Sequence, residues 1–260
     1  MIPMKKSDGL VYRIVRFLAN LFYPKLQVVG TENLPQEACV IVGNHCKTNG
    51  PIAAELYVPG DRYIWCAQEM MHWKEVPAYT YRDFWSRKPK WSKWLYKLLS
   101  YLIPPLCVMI FNCSHTIPVY RDGRVVNTYR ETLNKLKDGA NVVIFPEHDV
   151  PYDHILCDFQ TGFVDTARSY YKQTGKKLQF VPMYLAPRLK MLVFGKPITF
   201  DPDAPIKEER RRICDYLMQE ISATAQALPR HIVIPYNNVP EKDYVYNRPL
   251  EVTQHENACG

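Results

Sequence analysis

One histidine has the surroundings of a catalytic base. His45 lies in Val42-Gly43-Asn44-His45-Cys46-Lys47-Thr48-Asn49-Gly50-Pro51, where an apolar stretch runs into a Gly/Asn/Pro-rich turn and then a helix. In an α/β protein the C-terminal end of a buried strand is where ligands bind. Near neutral pH an imidazole placed there can take the proton of an alcohol. Further chemistry-bearing segments follow in order. Thr116-Ile117-Pro118-Val119-Tyr120-Arg121 sets a guanidinium just after a strand. Val143-Ile144-Phe145-Pro146-Glu147 ends a strand on a carboxylate, followed by Phe159-Gln160-Thr161-Gly162-Phe163. Phe180-Val181-Pro182-Met183 and Phe194-Gly195-Lys196-Pro197-Ile198 come last. Cys46 is a candidate nucleophile beside His45, but neighbours in extended backbone point to opposite sides, so a half-buried thiol is the simpler reading. His148, Asp149, Asp153 and His154 are metal-capable side chains whose spacing matches no zinc pattern. A polar loop at the site, without a metal, is expected there.

The elements that must position these residues alternate. Apolar runs at 38–43, 62–66, 116–119, 141–145, 178–184 and 191–194 read as strands. Helical periodicity covers 51–58, 91–111, 124–137, 158–173 and 205–227, the last framed by Pro205 and Pro229. This pattern predicts a single α/β domain with a central mixed sheet flanked by helices. The expected boundaries are an N-terminal amphipathic helix over 1–27, the folded domain over 28–236 and a polar C-terminal tail over 237–260.

The chain has 260 residues, 47% of them hydrophobic, a net charge of +7 and a mean hydropathy of −0.28. That length can bury a large core, and the composition excludes a disordered chain and a polytopic membrane protein. Eight cysteines without a C-x-x-C are too dilute for a disulfide scaffold. Cys39, Cys66 and Cys107 sit among apolar neighbours as reduced, buried thiols, which points to a reducing compartment. The positive charge is concentrated. Lys5, Lys6, Arg13, Arg16 and Lys25 stand against Asp8 alone, and Arg82, Arg87, Lys88, Lys90, Lys93 and Lys97 against Asp83 alone.

Both basic segments adjoin apolar sequence. Leu10, Ile14, Phe17, Leu18 and Leu21 share one helical face, with Arg13, Arg16 and Asn20 on another, as in a helix lying in a membrane interface. Trp85, Trp91 and Trp94 interleave with the second basic run, which leads into the uncharged stretch Leu98 to Phe111. That stretch is too short to span and is broken by Pro104-Pro105, so an interfacial or re-entrant helix is expected. The partners that follow are membrane lipids of an anionic leaflet, at the cytoplasmic face, with a peripheral or monotopic attachment. No nucleic-acid-binding module is recognisable. A surface helix docked on its own domain is the competing reading of the first segment.

Taken in order, the blocks around His45, Arg121, Glu147 and Val181-Pro182 resemble the glycerolipid acyltransferase family typified by 1-acylglycerol-3-phosphate acyltransferases, over roughly residues 35–200. That family reads N-H-x-[ST]-x-x-D, then F-I-x-R, then F-P-E-G-T-R-S with a downstream F-x-x-G, then a V-P block. The resemblance implies an O-acyltransferase that moves a fatty acyl group from acyl-CoA or acyl-carrier protein to a lysophospholipid or related lipid. It needs no cofactor beyond that co-substrate. His45 is then the general base, and Arg121, Glu147 and Asn44 hold the acceptor. His148, Asp149 and Gly162 fall at further active-site positions. Three departures stand out: Gly50 replaces the family Asp, Lys47 replaces Ser/Thr, and His148-Asp149-Val150 replaces Gly-Thr-Arg. Without the Asp, the group expected to orient His45 is Asn49, or a carboxylate such as Glu147 or Asp149 reaching across. A new acceptor on the same scaffold, a non-catalytic lipid-binding relative and an acyl thioesterase are the alternatives.

Overall fold

The computed structural model describes residues 9–85 and 89–249. Lys5, Lys6, Arg87, Lys88 and the end of the chain from 250 onward lie outside the described residues, so only 237–249 of the expected tail is described. Strands β1 (Gln27–Val29), β2 (Val40–Gly43), β3 (Arg62–Ala67), β4 (Thr116–Val119), β5 (Asn141–Ile144), β8 (Gln179–Ala186), β9 (Met191–Phe194) and β10 (Ile198–Thr199) form one sheet. Its order is β1-β9-β8-β2-β5-β3-β4, with β10 also on β8. The central pairs β8/β2, β2/β5, β5/β3 and β3/β4 are parallel, whereas β8/β9 and β8/β10 are antiparallel. The sheet is therefore mixed, and the chain is an α/β domain. A separate hairpin pairs β6 (Glu147–Pro151) with β7 (Cys157–Phe159).

Near-continuous apolar strands are buried on both faces, as a parallel sheet requires. Val40, Val42, Val142, Ile144, Phe180 and Tyr184 face a core shared with α6 (Val125–Lys137), α7 (Asp165–Thr174) and α8 (Ile206–Ala227). The alternate residues Ile41, Val143, Val181, Met183 and Leu185 face the other core, with Ala53 and Ala54 of α2 (Asn49–Tyr57). Period-two alternation thus divides each strand between two apolar cores.

Two expected helices are interrupted. The run 91–111 is α4 (Lys93–Leu102) and α5 (Pro104–Cys113), bent by 48°. Pro104 and Pro105 lack the N–H groups that would continue α4, and their rings clash with the preceding turn. The run 158–173 begins as β7, passes through a turn at Thr161–Val164 and becomes helical only at Asp165. Among the described residues no single helix is long and apolar enough to cross a membrane. Cys39 and Cys107 are buried and Cys66 is half-buried, all as free thiols.

The segment from 231 to 249 is a strap packed on the domain and is not a loose tail. Asn247, 1% exposed, accepts from His231 N (2.8 Å) and donates to Ala225 O (2.7 Å) and Leu228 O (3.3 Å). Val233 N donates to Val245 O (2.9 Å), and Ile232 bridges Tyr246. Asn side chains satisfy this backbone where no ladder exists to do so.

Helix α1 (Leu10–Phe22) packs against α2 and α5 with its polar side inward. Tyr12 and Arg16 are buried, and both approach Glu55 of α2: the Tyr12 hydroxyl donates to it at 2.5 Å and Arg16 Nε lies 3.8 Å away. Arg62 also donates to Glu55, at 2.9 Å. Leu10, Ile14, Phe17, Leu18, Leu21 and Phe22 are consequently left exposed, Phe22 at 80%. Helix α4 repeats the inversion. Ser92 and Ser100 are buried, while Trp91 (80% exposed), Trp94, Leu95, Leu98, Tyr101 and Leu102 face outward.

Candidate active site

The first and third sequence blocks meet at the C-terminal edge of the sheet. His45 follows β2 directly, and its backbone N–H donates to Glu147 Oε1 at 2.6 Å. The other carboxylate oxygen, Oε2, accepts from Cys157 N at 2.9 Å. Glu147 is 5% exposed, and burial raises its carboxyl to about 7 against the pull of those two N–H donors. Both oxygens are thus committed to backbone. Glu147 fastens the His45 loop to the β6–β7 hairpin, in place of the acceptor contact expected of it.

The loop itself is tightly wound. Cys46 and Lys47 both have positive φ, 46° and 59°, a conformation non-glycine residues adopt at a cost. The two left-handed residues turn the chain so that Asn49 N donates to Cys46 O (3.1 Å) and Gly50 N to His45 O (3.0 Å). Helix α2 starts there. A Cβ at position 50 would meet His45 O at 2.5 Å and Phe145 Cε1 at 2.8 Å. In this winding position 50 accepts only glycine.

Asn49 does not take its place. Its Nδ2 donates to Cys46 O at 3.1 Å, and its carbonyl accepts from the Tyr23 hydroxyl at 3.3 Å. Asp149 is exposed and makes no hydrogen bond to His45 among the described residues. His45 Nδ1 is buried with no hydrogen-bond partner among them. What touches the ring is aromatic. Phe145 stands edge-on at 5.4 Å and 67°, and Tyr236 at 5.6 Å and 76°. Burial lowers the His45 pKa, with the nearby Lys47 and His45 backbone pulling the other way, so the imidazole is neutral at pH 7.

Asn44 is structural as well. Its Oδ1 accepts from Leu185 N (2.7 Å), and its Nδ2 donates to Leu185 O (3.0 Å) and Cys46 Sγ (2.9 Å). This prolongs the β2–β8 pairing by one side chain and leaves no group for an acceptor. Cys46 is 1% exposed, and burial, aided by Glu147, holds its thiol well above the usual range. A protonated, enclosed thiol is no nucleophile.

Arg121 makes no hydrogen bond or ion pair with His45 or Glu147 among the described residues. It is exposed and forms no ion pair among the described residues, and its charge acts on the Tyr236 hydroxyl together with those of Asp149, Glu147 and Asp83. The polar loop is dispersed. His148 faces Asp158 (3.4 Å), Asp153 accepts from Ile155 N, Leu156 N and the Ser222 hydroxyl, and His154 meets Asn247 O (3.0 Å). Among the described residues no group of three or more His, Cys, Asp or Glu could hold a metal ion. Gly162 sits under the Tyr129 hydroxyl, 2.9 Å from where its Cβ would be, in a turn against α7 and α8.

Tyr236 is the residue that sequence reasoning passed over. A signal existed: Ile232-Val233-Ile234-Pro235-Tyr236-Asn237-Asn238 has the form of a strand running into a turn. Asn237 reaches Cys157 Sγ (3.7 Å), Asn238 donates to Asp83 O (3.1 Å), and Lys47 donates to the Tyr244 hydroxyl, which together hold the strap over the His45 loop.

No family model matches the chain, and no curated protein matches it. The chain is similar to a solved structure, the crystal structure of the 1-acyl-sn-glycerophosphate (LPA) acyltransferase PlsC from Thermotoga maritima. The identity is 16% and the TM-score 0.46, over 82% of this chain and 78% of that one.

Proposed function

We propose that the protein is an O-acyltransferase working at a lipid surface. It moves a fatty acyl group from acyl-CoA or acyl-carrier protein to the hydroxyl of a lysophospholipid or related lipid. The observation that carries this reading is the placement of His45 at the C-terminal edge of the sheet, with Nδ1 buried and its backbone N–H tied to Glu147 of the third block. The imidazole takes the acceptor's hydroxyl proton as the oxygen attacks the thioester carbonyl carbon. A C–O bond forms, the C–S bond breaks, and the imidazolium returns the proton to the departing thiolate. No covalent acyl-enzyme is needed, because Cys46 is enclosed and protonated. The exposed guanidinium of Arg121 supplies positive charge for an acidic acceptor.

The outward apolar faces of α1 and α4, with Trp91 and Trp94 among the lysines, support attachment to an anionic cytoplasmic leaflet. The acyl chains then need not cross water to reach His45. The test is thiol release from a long-chain acyl-CoA, with and without lysophosphatidate, for wild type and His45→Ala. Release that requires both acceptor and His45 is expected. Release with His45 alone would make it a thioesterase, and acceptor-dependent release in His45→Ala would remove the base assignment.

A further inference from the structure

The imidazole of His45 has lost the carboxylate partner and has gained two rings. Position 50 has no room for a side chain, Asn49 is spent on Cys46 O, and both oxygens of Glu147 are spent on backbone N–H groups. Phe145, one ring neighbour, arrives from the end of β5. Tyr236, the other, arrives from the strap, more than 190 residues further along the chain than His45. The strap's placement is built in. Asn247 and His231 anchor its ends, Asn237 and Asn238 tie its middle to Cys157 and Asp83, and Lys47 ties it to the His45 loop. Lys47 reaches it because its left-handed backbone turns the side chain towards Val239 and Tyr244.

We propose that Tyr236 is a positioning residue for His45: its ring, together with that of Phe145, fixes the plane of the imidazole by edge-to-face contact, which makes the C-terminal strap part of the active site. The inference rests on the reading of His45 as the base. Aromatic rings prefer this geometry because the positive edge of one meets the negative face of the other. The consequence differs from that of a carboxylate, which would stabilise the protonated ring. Two rings instead exclude water and favour the neutral form, the form a base requires. The titratable and charged groups around this clamp are Glu147 at the His45 N–H, Cys46 and Lys47 in the loop, and Tyr23 at Asn49 O. Arg121, Asp149 and Asp83 surround the Tyr236 hydroxyl.

The experiment compares Tyr236→Ala, Tyr236→Leu and Tyr236→Phe. It follows the His45 ring resonances through a pH titration in histidine-labelled protein, assigned with His45→Ala, and the pH profile of acyl transfer. Both non-aromatic variants are expected to lower kcat by roughly 10- to 100-fold with little change in donor KM, since the base is misplaced and not the substrate. Their His45 midpoint is expected to rise toward the ordinary value of about 6.5 as water enters, and the acidic limb of the rate profile to move up with it. Tyr236→Phe, which keeps the ring, is expected to recover most of the loss. Tyr236→Leu fills the space and guards against a collapsed strap. An unmoved midpoint and full kcat in the Leu and Ala variants would overturn the proposal. A loss in Tyr236→Phe as large as in Tyr236→Ala would also overturn it and give the role to the hydroxyl. The titration needs no turnover, so a moved midpoint with His45-independent activity removes the base assignment and leaves the clamp standing.

Discussion

A buried carboxylate whose two oxygens each hold a backbone N–H is a fastener, and Glu147 fits that description. Its carboxyl sits at about 7 in the fold against 4.5 in the free group. The folded state therefore binds the proton more tightly than the unfolded chain between those values. This group's contribution to stability falls as pH rises from about 4.5 to 7, by about 3 kcal/mol at most. Glu147→Gln removes the titration, so the Tm difference between variant and wild type is expected to shift in the variant's favour across that window. A pH-independent difference in thermal unfolding would refute this. Gly50→Asp is expected to reduce turnover and stability, because its Cβ would meet His45 O and Phe145. Overpacking of this kind costs about 1–3 kcal/mol, visible as a lowered Tm beside the lowered rate. At this scale the placement of His45 was legible, since a histidine after an apolar strand is a local pattern. The roles of Asn44 and Glu147 were not, because whether a polar group faces substrate or backbone depends on the neighbouring strand.

Helices α1 and α4 are amphipathic in the ordinary way but docked in reverse, and for α1 the reason is a charged anchor. Glu55 collects Tyr12, Arg16 and Arg62 at one point between α1, α2 and β3. Removing its carboxylate takes the counter-charge from two buried guanidinium groups, for which the cost is about 3–5 kcal/mol. Glu55→Ala is expected to lower Tm by roughly 10 °C and to loosen α1, seen as new protease cleavage near residue 22. The outward face obeys the opposite rule. Phe17 and Leu21 are each 62% exposed, so Phe17→Glu with Leu21→Glu is expected to leave Tm within about 2 °C. The same double variant is expected to lose most co-sedimentation with anionic vesicles. Full retention on vesicles would show that α1 has no part in lipid contact. Periodicity revealed both apolar stripes. Which side of α1 would meet the protein was decided by the pairing of Arg16 with Glu55, 39 positions apart in the sequence.

Across the whole molecule, the segment from 231 to 249 returns to the loop that carries His45. Asn247 joins the strap to the end of α8 through hydrogen bonds to His231 N, Ala225 O and Leu228 O. Asn247→Ala leaves those buried groups unpaired, at about 1–3 kcal/mol for each group stranded. Its expected signature is a lowered Tm together with a His45 midpoint displaced in the same direction as in Tyr236→Ala. A lowered Tm with an unmoved midpoint would separate the anchor from the site. By itself the sequence determined the α/β class, six of the strands and the break at Pro104-Pro105 only as a weakness, and it singled out the position of His45 just beyond a buried strand. These follow from apolar periodicity and local turn chemistry, which act between near neighbours. Only the tertiary structure decided that position 50 must be glycine, that Glu147 holds the loop and that Tyr236 stands against the imidazole. Each of those depends on atoms brought together from distant segments by the packing of the sheet and strap, and no local pattern encodes that distance.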